Sequence, residues 1–189
     1  MIKIIDVNYE EFFNSKNAQN RVVNTEFIGF AEDYLVIHCL IKEWNPSVIF
    51  EIGTSVGNGS VVIKNASPTS KIYTLDIRNC GENCPPDVVK LVGNSLSWDY
   101  SKHYPIDCWF IDGHHVYENV FHETREAIAS EAKYILYHDA DIPEVFKGIT
   151  DSIEKYGDGK YILYRVVAPP FVYSSSGQNI TRVAYAIKK

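Results

Sequence analysis

Five short runs rich in β-branched and aromatic residues alternate with helical or turn segments through the middle of this chain. They are SVIFEIG (47–53), KIYTLDI (71–77), VVKLVGNS (88–95), DCWFIDG (107–113) and KYILYHD (133–139). Each is short and nearly continuous in apolar character, as a strand covered on both faces requires. Between them, residues 59–66 and 116–130 carry helical spacing. In the second of these, Val116, Val120, Phe121, Thr124 and Ile128 share a stripe. PEVFKGITDSIEKY follows as a helix with Pro143 at its start, where the missing N–H costs nothing. GKYILYRVV and TRVAYAIKK then close the chain as two strands with no helix between them, an antiparallel pair. This order predicts a doubly wound, mostly parallel seven-stranded α/β sheet with an antiparallel C-terminal strand pair.

Upstream, Phe27, Phe30, Ala31, Tyr34, Leu35, His38 and Ile41 recur at helical spacing, with Asn24 and Thr25 as capping residues and Asn45-Pro46 as the stop. Residues 1–45 are expected to form a helical cover and residues 46–189 the sheet, together one structural domain. The connection APPFVYSSSGQNI (168–180) is expected to be an exposed, mobile loop.

Charge narrows the partners. The chain of 189 residues has 18 basic and 24 acidic side chains, a net charge of −6. No run of Lys or Arg forms a basic stripe, which disfavours phosphate-driven binding of nucleic acid. An acidic surface gains nothing from anionic lipid. The longest apolar stretch, about Tyr34–Ile41 and interrupted by His38, falls well short of the roughly 20 residues that span a bilayer. The N-terminus lacks the apolar region of a signal peptide, so a cytoplasmic setting is expected. A small-molecule substrate is the default partner, and homodimer formation is open. Cys39 and Cys108 fall in apolar patterns and read as small buried hydrophobes. Cys80 and Cys84 share the loop CGENC; position 87, where a CxxxCxxC cluster needs its third thiol, is Asp87, so a reduced loop pair is expected.

In a sheet of this kind ligands bind beyond the carboxyl ends of the strands. The first strand ends in EIGTSVGNGS (51–60). Glycines at 53, 57 and 59 suit a tight turn and close backbone approach, yet neither the dinucleotide GxGxxG nor the phosphate-binding GxxxxGK[ST] spacing is present. The second strand ends in Asp76, placed to accept two hydrogen bonds from ribose hydroxyls. The third ends in Asn94 and Ser95, equally suited to reading a base edge or to making an ordinary turn. The fourth ends in DGHHVYENV and the fifth in HDADIPEV.

Taken together, the acid-Gly loop at Glu51 and Gly53, Asp76, the turn Asp112-Gly113-x-His115-x-Tyr117 and the pair His138-Asp139 resemble the class I S-adenosylmethionine (SAM) methyltransferases. The match is to the small-molecule O-methyltransferases of the methyltransferase-24 group, over about residues 48–150. The resemblance implies a Rossmann-like fold and methyl transfer from SAM to an oxygen, with nitrogen the lesser alternative, of a small molecule such as a sugar or natural-product intermediate. It places Glu51, Gly53, Thr54, Ser55, Gly57, Asp76, Ile77, Asn94, Ser95 and Asp112 around the cofactor. Related enzymes hold a divalent cation with an Asp after the fourth strand and an acidic pair after the fifth. Here Asp112, His138 and Asp139 occupy those places. His138 in place of an acid lowers the site's appetite for a hard cation, which favours a metal-free form with His138 or His115 as general base beside Asp112. Tyr117, Tyr137, Phe171 and Tyr173 are candidates to floor a substrate. The rivals are a regulatory protein that binds the cofactor without turnover and a nucleotide-cofactor oxidoreductase.

Overall fold

A computed structural model describes residues 2–8, 31–167 and 182–189. The capping and helical positions Asn24, Thr25, Phe27 and Phe30, and the 168–180 connection with Phe171 and Tyr173, lie outside the described residues.

Eight strands form one sheet: β1 (Lys3–Asn8), β2 (Val48–Ile52), β3 (Lys71–Asp76), β4 (Val89–Val92), β5 (Cys108–Ile111), β6 (Tyr134–Tyr137), β7 (Tyr161–Val167) and β8 (Ala184–Lys188). Their order is β1-β7-β8-β6-β5-β2-β3-β4. All neighbours are parallel except β8, which runs antiparallel between β6 and β7. The doubly wound reading with an antiparallel C-terminal strand pair therefore holds, with one strand added. That strand is β1, which pairs in parallel with β7 and is tied to it by a two-point Arg165–Asp6 ion pair at 2.8 and 2.9 Å. It lies at the sheet edge and is mostly exposed, so it lacks the buried apolar run that marks the central strands. Within residues 1–45, where a helical cover is expected, Lys3–Asn8 is a strand and Ala31–Trp44 a helix.

Among the described residues, four α-helices cover the two faces. Successive residues of a strand point to opposite faces, and the core splits accordingly. Phe50, Trp109, Ile135 and Leu163 meet α3 (Tyr117–Ala129) and α4 (Pro143–Tyr156) on one side. Ile49, Phe110, Leu136 and Val166 meet α1 (Ala31–Trp44) and α2 (Asn58–Ala66) on the other. The α1 helix is a full member of its layer: Val36, Ile37, Leu40 and Ile41 are completely buried, and Trp44 stacks on Tyr134 with ring centroids 4.5 Å apart. This packing draws α1 against the sheet and sets its residues 33 and 34 beside the end of β6. No helix among the described residues is long and apolar enough to cross a membrane.

Candidate active site

The carboxyl ends of β2, β3, β4 and β5 open into one cleft of about 700 Å³. Its walls are Gly53, Thr54 and Ser55 after β2, Asp76 and Ile77 at β3, Asn94 and Ser95 after β4, and Asp112 to His115 after β5. Tyr34 from α1 and Asn119 from α3 complete it.

The loop after β2 is shaped by its glycines. Gly53 has φ +95°, and its N–H donates to the Leu75 carbonyl at 2.8 Å. A Cβ there would stand 2.0 Å from the Asp112 carbonyl oxygen. The close neighbour that Gly53 admits is therefore protein backbone as well as the cleft. Gly57, with φ +96°, caps α2 and does not line the cleft. Glu51 also lies outside the cleft wall. It is buried behind the loop, where it accepts a short hydrogen bond from the Ser60 hydroxyl. Burial pushes its carboxyl up to about 7 against the opposing effect of Ser60 and Thr74.

Asp76 has both oxygens engaged, Oδ2 by the Ser55 N–H at 3.0 Å and Oδ1 by the Arg78 N–H at 3.1 Å. Partial burial works against its charge, but these donors outweigh it and hold the carboxyl below the usual carboxylate range. A fixed, ionised carboxylate on the cleft wall is what recognition of a diol needs, since each oxygen keeps a further lone pair. The Asn94 side chain accepts the Leu96 N–H at 2.9 Å, so it makes the turn as well as lining the cleft.

The second half of the site is a knot of carboxylates and imidazoles. His115 Nε2 lies 2.9 Å from Asp139 Oδ2 and 3.5 Å from Asp112 Oδ1. His138 Nδ1 lies 2.9 Å from Asp139 Oδ2 and 3.3 Å from Asp112 Oδ1. Asp139 adopts φ +52°, and that tight turn brings the side chains of two consecutive residues to one point. Burial works against the charge of Asp112, but contacts from His115 and His138 hold its carboxyl low. His115 is 39 % exposed and faces the cleft, whereas His138 is 5 % exposed and lies behind it. Ligand atoms of Asp112, His138 and Asp139 all fall within 4.8 Å of one another, a spacing that one cation can span.

Several members of this knot carry no sequence signal of their own. Asp33 and Tyr34 arrive on α1: Asp33 Oδ2 is 3.7 Å from His138 Nε2, and the Tyr34 ring stacks over the His138 ring at 5.9 Å. Arg182, just before β8, pairs with Asp139 through its guanidinium and donates its N–H to Asp33 Oδ1 at 3.3 Å. Asp141 lies nearby, its Oδ1 3.9 Å from Arg182 Nε. Two of the proposed aromatic floor residues are elsewhere: Tyr137 is fully buried in the core, and the Tyr117 hydroxyl donates to Asp151 between α3 and α4.

No protein-family model and no curated protein matches this chain. Solved structures do. The O-methyltransferase from Bacillus cereus, in complex with SAH, superposes with a TM-score of 0.65 at 17 % identity, over 96 % of this chain and 90 % of that one. The O-methyltransferase TomG from Streptomyces achromogenes, involved in tomaymycin synthesis and in complex with SAM, gives 0.58 at 13 % identity, over 96 % and 89 %. MycE from the mycinamycin biosynthetic pathway, in complex with Mg and SAH, gives 0.56 at 17 % identity, over 97 % of this chain but 55 % of its own length. The chain has the fold of the class I methyltransferases.

Proposed function

We propose that this protein transfers the methyl group of SAM to an oxygen of a small molecule. The observation that carries the reading is the cleft itself: a glycine turn, a fixed diol-binding Asp76 and a base-reading turn on one side, and an accessible imidazole paired with buried carboxylates on the other. Gly53, Thr54 and Ser55 present backbone to the amino-acid end of the cofactor. Asp76 takes the ribose, and Ile77, Asn94 and Ser95 border the base.

The transfer is an in-line displacement. The acceptor oxygen forms a bond to the methyl carbon, the carbon–sulfur bond breaks toward sulfur, and the acceptor proton leaves. His115 is the group to take that proton, because it alone of the two imidazoles reaches the cleft and Asp139 holds its ring. Alignment of donor and acceptor supplies much of the rate. The donor set Asp112, His138 and Asp139 fits a divalent cation: two hard oxygens and one imidazole converge, and four carboxylates among the described residues stand against one guanidinium. A bound cation would lower the acceptor hydroxyl's pKa and orient its oxygens.

The test is to incubate the protein with trideuteromethyl-SAM and a panel of sugars, catechols and phenolic natural products, and to follow S-adenosylhomocysteine and product mass. Acceptor-dependent formation of both is expected; cofactor binding without turnover on any acceptor would favour a regulatory role.

A further inference from the structure

We infer that Asp33, carried on α1, is the positioning residue that makes His138 a cation ligand through Nδ1. The inference rests on the cation reading above and adds to it a residue that no strand-end pattern contains.

His138 is enclosed on three sides. Its Nδ1 edge faces Asp112 and Asp139, at 3.3 and 2.9 Å. One ring face lies against Tyr34. Its Nε2 is buried, has no hydrogen-bond partner among the described residues, and stands 3.7 Å from Asp33 Oδ2. A polar ring nitrogen in that position is costly unless it finds an acceptor. A shift of about 0.8 Å, shared between the two side chains, closes the 3.7 Å gap to hydrogen-bond length, about 2.9 Å.

The two nitrogens of a neutral imidazole cannot both be donors. If Nε2–H is given to Asp33, Nδ1 presents its lone pair to the point where Asp112 and Asp139 converge. Without Asp33 the ring has no reason to prefer that tautomer, since Asp139 Oδ2 at 2.9 Å would draw the proton to Nδ1 instead. A carboxylate behind a ligating histidine fixes its tautomer and raises its basicity.

Asp33 is itself secured. It is buried, and the Arg182 N–H donates to its Oδ1 at 3.3 Å. Burial pushes its carboxyl up, and His138 and Arg182 oppose that push. The same Arg182 pairs with Asp139 through its side chain. One residue before β8 thus braces both the ligand Asp139 and the carboxylate behind His138. The negative charge that an acid at position 138 would have supplied is restored one layer out, from α1.

The test is Mn²⁺ binding to the full chain saturated with S-adenosylhomocysteine, read by electron paramagnetic resonance. The wild type is expected to bind one Mn²⁺. Asp33→Asn should weaken it 10- to 100-fold, with S-adenosylhomocysteine affinity and melting temperature unchanged, and Asp33→Glu should recover part of the loss. Unchanged Mn²⁺ affinity in Asp33→Asn, with affinity lost in His138→Ala, would overturn the role of Asp33 and leave the cation site standing. A wild type that binds no Mn²⁺ would overturn both. A second readout needs no variant: long-range ¹H–¹⁵N spectra of the Mg²⁺-saturated wild type should show His138 as the Nε2–H tautomer, and the Nδ1–H tautomer would contradict the inference.

Discussion

Gly53 and the Asp112 carbonyl touch: a Cβ at position 53 would stand 2.0 Å from that oxygen and 2.9 Å from the Cα of Gly113. The turn proposed to hold one end of the cofactor and the turn that carries Asp112 are thus packed backbone to backbone. Neither can move alone, because β2 and β5 are also hydrogen-bonded neighbours in the sheet.

That contact makes Gly53→Ala a stability mutation as well as a binding one. A left-handed φ costs a non-glycine residue about 1–2 kcal/mol, and the overlap with rigid backbone adds to it. The expected outcome is a lower urea midpoint at unchanged slope, a stability loss of at least about 2 kcal/mol, with S-adenosylhomocysteine binding lost. A variant as stable as the wild type would mean that the two turns are not in contact.

Glu51 gives a pH signature. Its carboxyl is fully buried and pushed up to about 7, while in the unfolded chain it titrates near 4.5. Between those values the folded state holds the extra proton, so stability falls as pH rises through about 4.5–7 and is level above. The full effect is of order 3 kcal/mol. Urea unfolding at pH 5.5 and 7.5 should show the wild type less stable at the higher pH. Glu51→Gln, which keeps an acceptor for the Ser60 hydroxyl, should flatten the difference. Glu123, buried on α3 and also pushed up to about 7, contributes in the same direction, so the Glu51→Gln profile should keep a residual slope.

The two imidazoles should separate in kinetics. His115 is exposed to the cleft, and His138 is buried behind it. His115→Ala should lower kcat by roughly 10²–10⁴-fold, the range for loss of a general base, with cofactor affinity within about threefold of the wild type by calorimetry. Chelator treatment should remove activity, and Mg²⁺ or Mn²⁺ should restore it. Chelator-insensitive turnover together with an active His115→Ala variant would exclude both roles.

Much of this was legible from residues 47–139 alone, because a central strand buried on both faces reads as a short apolar run with its functional residue at the end. Asp76, Asp112 and His115 stand out in the sequence on that pattern, and all three line the cleft. The differences between sequence pattern and structure have physical causes. The strand β1 pairs on one side only and is mostly exposed, so its sequence shows no core run. Glu51 stands in a ligand-binding pattern but turns behind the loop to Ser60, and strand alternation rather than spacing decides which way it points. Asp33 and Arg182 lie far apart in sequence from every strand-end motif, and only the packing of α1 on the sheet and the placement of β8 beside β6 bring them to His138 and Asp139.

The central claim is that the cleft accepts SAM, and its most direct test is a calorimetric titration of the full chain with S-adenosylhomocysteine, repeated with NAD⁺ and with Asp76→Ala. One site is expected, with a dissociation constant in the micromolar range, about −8 kcal/mol. No heat is expected with NAD⁺, and Asp76→Ala should lose roughly 1.5–3 kcal/mol, as for hydrogen bonds to a charged group. Saturable NAD⁺ binding in the absence of any S-adenosylhomocysteine binding would contradict it.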